Sequence, residues 1–492
     1  MYCHLSPTEP LRCAAALIGA LLFLLPLLPA QTDSLFRGTW EGQLQVGPQS
    51  LQLFFTLQTD EAGHWTCLLD VPQQNATNIA AKTVDITGQQ VRINYPLLNA
   101  QYEGHLDPDP RSIRGTWTQN GQGFPLQLQL AQADALPEAP PRPQTPQPPF
   151  PYTSEPLSFV NPLADSIRLA GTLTLPPGPG PFPTAILISG SGPQNRDEEI
   201  LGHQPFWIIA DYLSRRGIAV YRYDDRGVAE SEGNFRLATT KDFASDARAA
   251  FQHLQQDPRI AADHIGFIGH SEGGIVAPMV ASEQRDVAFL ILLAAPGVPL
   301  ADILQTQAIL IARAEGVPED IIQRDSSFNA QVFSVIRGQA EEAAQEEALM
   351  SILERAYAAL SEEERAGVGS LYAFQTKTIA NLRTPWMKFL LPYNPRQALE
   401  QVHCPVLALN GDKDLQVSIE QNLPEIGAAL ELGPCTDFSL QRLAGLNHLF
   451  QYSETGQVSE YGKLEETFSE TALERMAQWL GKRFGTGTSE SD

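Results

Sequence analysis

The chain has 492 residues, 43% of them apolar and only 18% charged. That length allows two or three domains with substantial cores, and the composition excludes a disordered polyelectrolyte. The formal charge of −24 argues against a nucleic-acid partner, because a phosphate backbone is bound by clustered cations.

The first feature in chain order is Arg12 followed by "CAAALIGALLFLLPLLPA", ending at Ala30. This run, broken by Pro26 and Pro29, reads as a secretory signal over residues 1–30. It predicts an exported protein, periplasmic or extracellular. An uncleaved anchor is the other reading of the run. No later run is long enough to span a bilayer, so no stable membrane span is expected after cleavage. Cys3 and Cys13 would leave with the signal. Cys67, Cys404 and Cys435 remain, without CxxC spacing. That excludes a disulfide scaffold and leaves room for one bond. Asn75-Ala76-Thr77 is a glycosylation sequon, which matters only in a eukaryotic secretory host.

Residues 31–132 read as a small all-β domain. "SLQLFFTLQ" and "PLQLQLA" alternate apolar and polar positions, with Leu126, Leu128 and Leu130 on one face. "GTWEGQL" at Trp40 and "RGTWTQNG" at Trp117 echo each other from opposite ends of the domain. A barrel or sandwich closed by its terminal strands would produce that echo. Packing is the expected role of both tryptophans, and ligand or glycan stacking is the alternative. A Pro-rich linker follows over 133–152, including "LPEAPPRPQTPQPPFPY".

From residue 153 to 484 strands and helices alternate. "IRLAGTLTLP", "TAILISG", "IAVYRYDDRG", "HIGFIGH", "VAFLILLAAPG" and "CPVLALNGDKD" read as strands. Several are continuously apolar, as strands buried on both faces of a parallel sheet are. "FWIIADYLSRRG" reads as a helix. "KDFASDARAAFQHLQQD" puts Phe243, Ala247, Phe251 and Leu254 on one helical face. The fold class is therefore α/β, a doubly wound and mostly parallel sheet. Residues of about 300–392 interrupt it with Ala-, Glu-, Gln- and Leu-rich sequence, read as a helical cap inserted between two strands. "TALERMAQWLGKRF" forms a closing helix before a polar tail over 485–492.

The chemistry concentrates at "IGFIGHSEGGIVAPMVA", residues 265–281. A lone Gly-x-Ser-x-Gly says little. Here a buried-type strand runs straight into it and a helix follows, the setting a nucleophile elbow requires. Ser271 is the candidate nucleophile. A serine needs a base, and the base needs a carboxylate, expected in the chain order Ser, Asp or Glu, His. "VLALNGDKDLQV" offers Asp412 and Asp414 at a strand end, and Asp414, deeper in the loop, is favoured. His448 in "LAGLNHLFQ" is the last histidine of the chain. The oxyanion donors are expected from the amide of Glu272 and, in "ISGSGPQNRDE", the amide of Ser191. That glycine-rich loop lacks GK[ST] and the full GxGxxG, so no nucleotide site is expected.

Together, "ISGSGPQNRD", "PFWIIADYLSRRGIAVYRYDDRGVAES", "IGFIGHSEGG", "ALNGDKDLQV" and "NHLF" resemble the exported bacterial esterase branch of the α/β-hydrolase superfamily. Its members are related to dienelactone hydrolases and include proteins described as serine aminopeptidases. The resemblance covers roughly 155–484 and implies Ser271, Asp414 and His448 as the triad. It also implies an N-terminal β-module. One departure is Ala229, where the family usually has glycine.

Trp386, Phe389, Leu390 and Tyr393, at the end of the cap, are read equally as walls of an acyl pocket or as the cap's own core. Asp224, Asp225 and Arg226 read as an ion-paired loop brace, with paired-carboxylate acid–base or metal chemistry as the alternative, and His203 as a structural or surface residue, with a place at the site entrance as the alternative. No cofactor is expected, and no metal, since HExxH and clustered His/Cys spacings are missing. The expected partner is a small-molecule ester. The alternatives are an amide substrate on the same triad, or a glycan- or partner-binding protein with a vestigial hydrolase domain.

Overall fold

The computed structural model describes residues 33–46, 49–60, 63–71, 76–109, 111–119, 121–131, 140–338 and 341–486. The signal-like run at 1–30, Asn75 of the sequon, the linker's first residues and the tail from 487 lie outside these.

The N-terminal region is one antiparallel sheet of nine strands: β1 (Gly38–Val46), β2 (Gln49–Thr59), β3 (Trp65–Val71), β4 (Ala76–Ala80), β5 (Thr83–Thr87), β6 (Gln90–Tyr95), β7 (Ala100–Leu106), β8 (Ser112–Gln119) and β9 (Gln122–Leu130). Their order is 4-3-2-1-9-8-7-6-5. The terminal strands pair, Trp40 opposite Leu130, but β4 and β5 remain as edges. The sheet is thus a half-barrel rather than the closed barrel or sandwich expected. Trp40 and Trp117 are buried in its core. Trp117 meets the Phe55 ring edge-on at 6.0 Å, and the Trp40 indole donates to the Phe36 carbonyl at 2.8 Å. Both tryptophans pack.

The Pro-rich segment is tied down where it is described. Arg142 donates to the carbonyls of Leu201, Gly462 and Leu464, and the Tyr152 hydroxyl donates to Asp211 at 2.8 Å. It runs along the second domain instead of spanning free solvent.

The second domain is built on eight strands: β10 (Thr153–Asn161), β11 (Ile167–Leu175), β12 (Phe182–Ile188), β13 (Ala219–Tyr223), β14 (Ile260–His270), β15 (Leu290–Leu293), β16 (Val406–Gly411) and β17 (Phe438–Leu443). The order is 10-11-13-12-14-15-16-17. Strands β10, β11 and β13 pair antiparallel, and from β13 onward the pairing is parallel. Apolar side chains cover both faces. One layer includes Phe251 and Leu254 of α2 (Thr240–Leu254), the other Ile209 and Leu213 of α1 (Pro205–Ser214) with Met476 and Leu480 near the C-terminus. This is the α/β-hydrolase fold. Strand β12 lies between β13 and β14, so the chain turns back at its carboxyl end, where such sheets open a crevice.

Helix α3 (Gly273–Glu283) follows β14. Between β15 and β16 the insertion forms α4 (Leu300–Ala314), α5 (Glu319–Arg337), α6 (Glu342–Ala359), α7 (Glu362–Val368), α8 (Leu371–Leu382) and α9 (Pro385–Leu390). Val332, Leu349, Ile352, Leu353 and Ile379 give this cap a small core of its own. Helices α10 (Arg396–Leu399), α11 (Ile419–Leu432), α12 (Val458–Tyr461) and α13 (Glu470–Phe484) complete the domain. Ala229 has φ +44°, the left-handed region in which glycine costs nothing. That accounts for the family's usual glycine there.

Candidate active site

Strand β14 ends at His270 and α3 begins at Gly273, with Ser271 in the turn between them. Ser271 has φ +52°, a conformation that costs a non-glycine residue about 1–2 kcal/mol. The turn is pinned: the Ser271 amide donates to the Leu293 carbonyl at 2.9 Å and the Gly274 amide to Ser271 at 2.8 Å. The glycines are steric requirements. A Cβ on Gly269 would lie 2.1 Å from the Gly273 carbonyl oxygen, and one on Gly273 would lie 2.1 Å from that of Ile188. Strand, turn and helix approach this closely only without side chains at those positions.

Asp414 lies in the loop after β16 and is buried. Its Oδ1 accepts from the amides of Gln416 at 2.8 Å and Val417 at 2.9 Å. Its Oδ2 accepts from Asn410 at 3.2 Å and faces His448 Nδ1 at 2.9 Å. A carboxylate so placed keeps the proton on Nδ1 and leaves Nε2 as an acceptor. Asp412 does something else: exposed, it accepts from the Gly445 amide at 2.7 Å and joins the loops after β16 and β17. Ser271 and His448 line one cavity of about 280 Å³, together with Ser191, Glu272, Trp386 and Leu390. Phe389 and Tyr393 are not among its lining residues; their rings stack on each other at 5.5 Å. Of the four residues, Trp386 and Leu390 therefore line the cavity, while Phe389 and Tyr393 pack on each other.

Among the described residues, the amides of Ser191 and Glu272 donate to no backbone carbonyl. The Ser191 loop is braced from behind. Asp225 accepts from the Ser189 hydroxyl and the Gln194 amide, each at 3.0 Å. Burial drives its carboxyl well above the ordinary range, against those two bonds. Glu198 accepts from the Gly190 amide at 2.6 Å and from His270 Nδ1 at 2.9 Å. The other His270 nitrogen lies 3.0 Å from the His448 carbonyl. Burial pulls the His270 pKa down, but Glu198, the His448 carbonyl and Asp414 together outweigh it and the net shift is upward. Glu198 and His270 thus link the Ser191 loop to the backbone of His448. Sequence reasoning missed both, because 72 residues separate them and no motif joins them.

Arg196 bridges Asp224 and Glu230, and Arg226 is paired with Asp246. This is the loop brace expected of "YDDRG". His203 is buried between the Thr467 hydroxyl and the Tyr461 carbonyl, each at 2.9 Å, away from the cavity. Cys67, Cys404 and Cys435 are free and buried. Among the described residues no group of His, Cys, Asp or Glu is arranged for a metal ion, and no helix is long and apolar enough to cross a membrane.

Residues 206–323 match the family described as serine aminopeptidase, S33. Esterase EstD of Thermotoga maritima is 34% identical over 139 residues, which is 28% of this chain. The chain spans about a third (33%) of that relative's length. Solved structures with a similar fold include the α/β hydrolase GrgF from Penicillium, at 15% identity and TM-score 0.41, covering 68% of this chain and 99% of that one. The Pyrococcus furiosus esterase Pf2001 is 15% identical with TM-score 0.38, covering 68% and 93%. The strand order gives the second domain the α/β-hydrolase fold, and the matched family falls within that domain.

Proposed function

We propose that this protein is an exported serine hydrolase that cleaves carboxylic esters through an acyl-enzyme. The observation that carries the reading is the Asp414–His448 contact at 2.9 Å, on a cavity whose wall also holds Ser271 in its left-handed turn. Ser271 Oγ attacks the acyl carbon while His448 Nε2 takes its proton. The amides of Ser191 and Glu272 hold the oxyanion. The C–O bond then breaks and the leaving alkoxide takes the proton from His448. Water repeats the sequence: His448 accepts its proton, the acid departs, and Ser271 recovers its hydrogen. Asp414 orients the ring and stabilises the imidazolium.

The aminopeptidase description of the matched family favours a second reading, amide cleavage beside a free amine. Such a substrate needs an unengaged anion near the nucleophile. The two glutamates of the cavity wall, Glu198 and Glu272, already accept from protein donors. The remaining wall is rich in apolar groups such as Ile275, Leu300, Ile303 and Leu390, which suits a small neutral ester. The apolar leader supports export.

Fluorophosphonate labelling read by intact mass tests the proposal. A single adduct is expected on the wild-type chain and none on Ser271→Ala, whose turnover should fall roughly 10⁴-fold or more with folding intact. An unlabelled wild-type protein, or an active Ser271→Ala, overturns it. Matched ester and amide substrates then separate the two readings.

A further inference from the structure

The residue after Ser271 carries a side chain that the hydrolytic scheme does not use. Glu272 is 4% exposed and its carboxylate is met from two separate segments. At Oε1 it accepts from the Thr240 hydroxyl at 2.6 Å, at the start of α2, and from the Trp386 indole at 2.8 Å, in α9. The Ser191 hydroxyl, in the loop after β12, also favours its charged form. Packing alone does not require a carboxylate here. A buried one is costly unless donors converge on it, and these do.

We propose that Glu272 is a positioning residue that latches the helical cap to the site, so that seating of α9 over the cavity and placement of the two oxyanion amides are one coupled event. The latch rests on the hydrolase reading for its catalytic consequence, but not for its existence. Its backbone amide is one proposed oxyanion donor, and Ser191, which supplies the other, lines the same cavity wall. Trp386 lines the same cavity, so its indole is both wall and bolt. The near end of the cap is fastened independently, where Gln421 donates to the Asp302 carbonyl and the Thr306 hydroxyl, each at 2.9 Å. Trp386 fastens the far end, after α5 to α8. Burial raises the Glu272 pKa and the hydrogen bonds from Thr240 and Trp386 oppose it, so losing either donor weakens the charged state on which the other depends.

The test is a double-mutant cycle read in two ways. Trp386→Phe keeps an aromatic side chain but removes the N–H donor together with part of the indole's bulk, and Glu272→Gln keeps the shape and removes the charge. On a short p-nitrophenyl ester, Trp386→Phe should lower kcat about tenfold with KM changed less than threefold, the scale of one charged hydrogen bond lost. Glu272→Gln should do no worse. The double variant should be no slower than the worse single, because both break one latch. Trypsin cleavage of the folded protein at Arg355 and Lys377 should accelerate about tenfold in each variant, again without adding. Multiplicative losses, or unchanged cleavage, overturn the latch. If the wild-type chain fails to take fluorophosphonate, the hydrolase reading falls while the cleavage cycle still decides the latch. If Glu272→Gln does not fold, Trp386→Phe decides it, since faster cleavage upholds the tie and unchanged cleavage ends it.

Discussion

The turn at Ser271 and the helical cap shape the same cavity by opposite means. The turn is held by close backbone approach: a Cβ at Gly273 would sit 2.1 Å from a carbonyl oxygen of the neighbouring strand. The cap is held by a small core and by ion pairs whose partners are largely solvated, such as Arg313–Glu319 and Arg337–Asp302. Groups facing a developing charge must be fixed to a fraction of an ångström, and only a rigid scaffold does that. A wall that excludes water needs only enough apolar surface. The difference teaches where this fold invests order.

The sharpest test of that contrast is a methyl group. Gly273→Ala drives a side chain into the Ile188 backbone, which has no room to yield, so a loss of about 3 kcal/mol or more is expected. Gly338→Ala, at the end of α5, meets the Val335 carbonyl at 3.2 Å and should cost less than about 1 kcal/mol. Urea unfolding of both variants reads the result. Similar losses would erase the contrast.

Acid should likewise find the body before the cap. Burial lowers the His203 pKa to about 4, against its bond to the Tyr461 carbonyl. The unfolded imidazole titrates near 6.5. Between these values the unfolded chain holds the extra proton, so stability is full above pH 6.5 and is lost as pH falls towards 4. The total is on the order of 3 kcal/mol. His203→Gln should flatten that part of the stability profile. An equally steep profile in the variant would move the acid sensitivity to other groups. In the cap, Arg313 and Gln323 hold the Glu319 carboxyl down to about 2, so that pair survives the same window.

What was legible in the sequence follows the same division. Glycine spacing reports backbone contact, so "GHSEGG" located the Ser271 turn, and continuous apolar runs located the central strands. Strand β10 was not read, because its side chains are exposed at most positions and leave no apolar pattern. Helix α11 was not read either; Pro424 lies inside it and reads as a helix breaker. Asp412 and Asp414 follow the same strand, and only the fold of the loop separates a turn residue from the partner of His448. Glu198, His270 and the Glu272–Trp386 contact join distant segments, and nothing local in the sequence records them. Trp386, Phe389, Leu390 and Tyr393 could be read as pocket wall or as cap core, and only Trp386 and Leu390 line the cavity. Helix α9 presents different faces and Tyr393 lies beyond its end, and aromatic character alone does not say which side chain meets the cavity.

The smallest expected effect is at the cap's surface. Arg337 donates to Asp302 at 2.9 Å, joining the end of α5 to the start of α4. Both side chains are more than 40% exposed, so water already solvates the charges and salt screens what attraction remains. Ordering two long side chains also costs entropy. Arg337→Gln should therefore change stability by no more than about 0.5 kcal/mol, and raising the salt to 1 M should remove even that difference. Urea titrations of the two proteins at low and high salt measure it. A loss several times larger, or one indifferent to salt, would mean that this contact is shielded and that the cap is built as rigidly as the turn beneath it. The contrast between the two regions would then fail at the point where it is easiest to break.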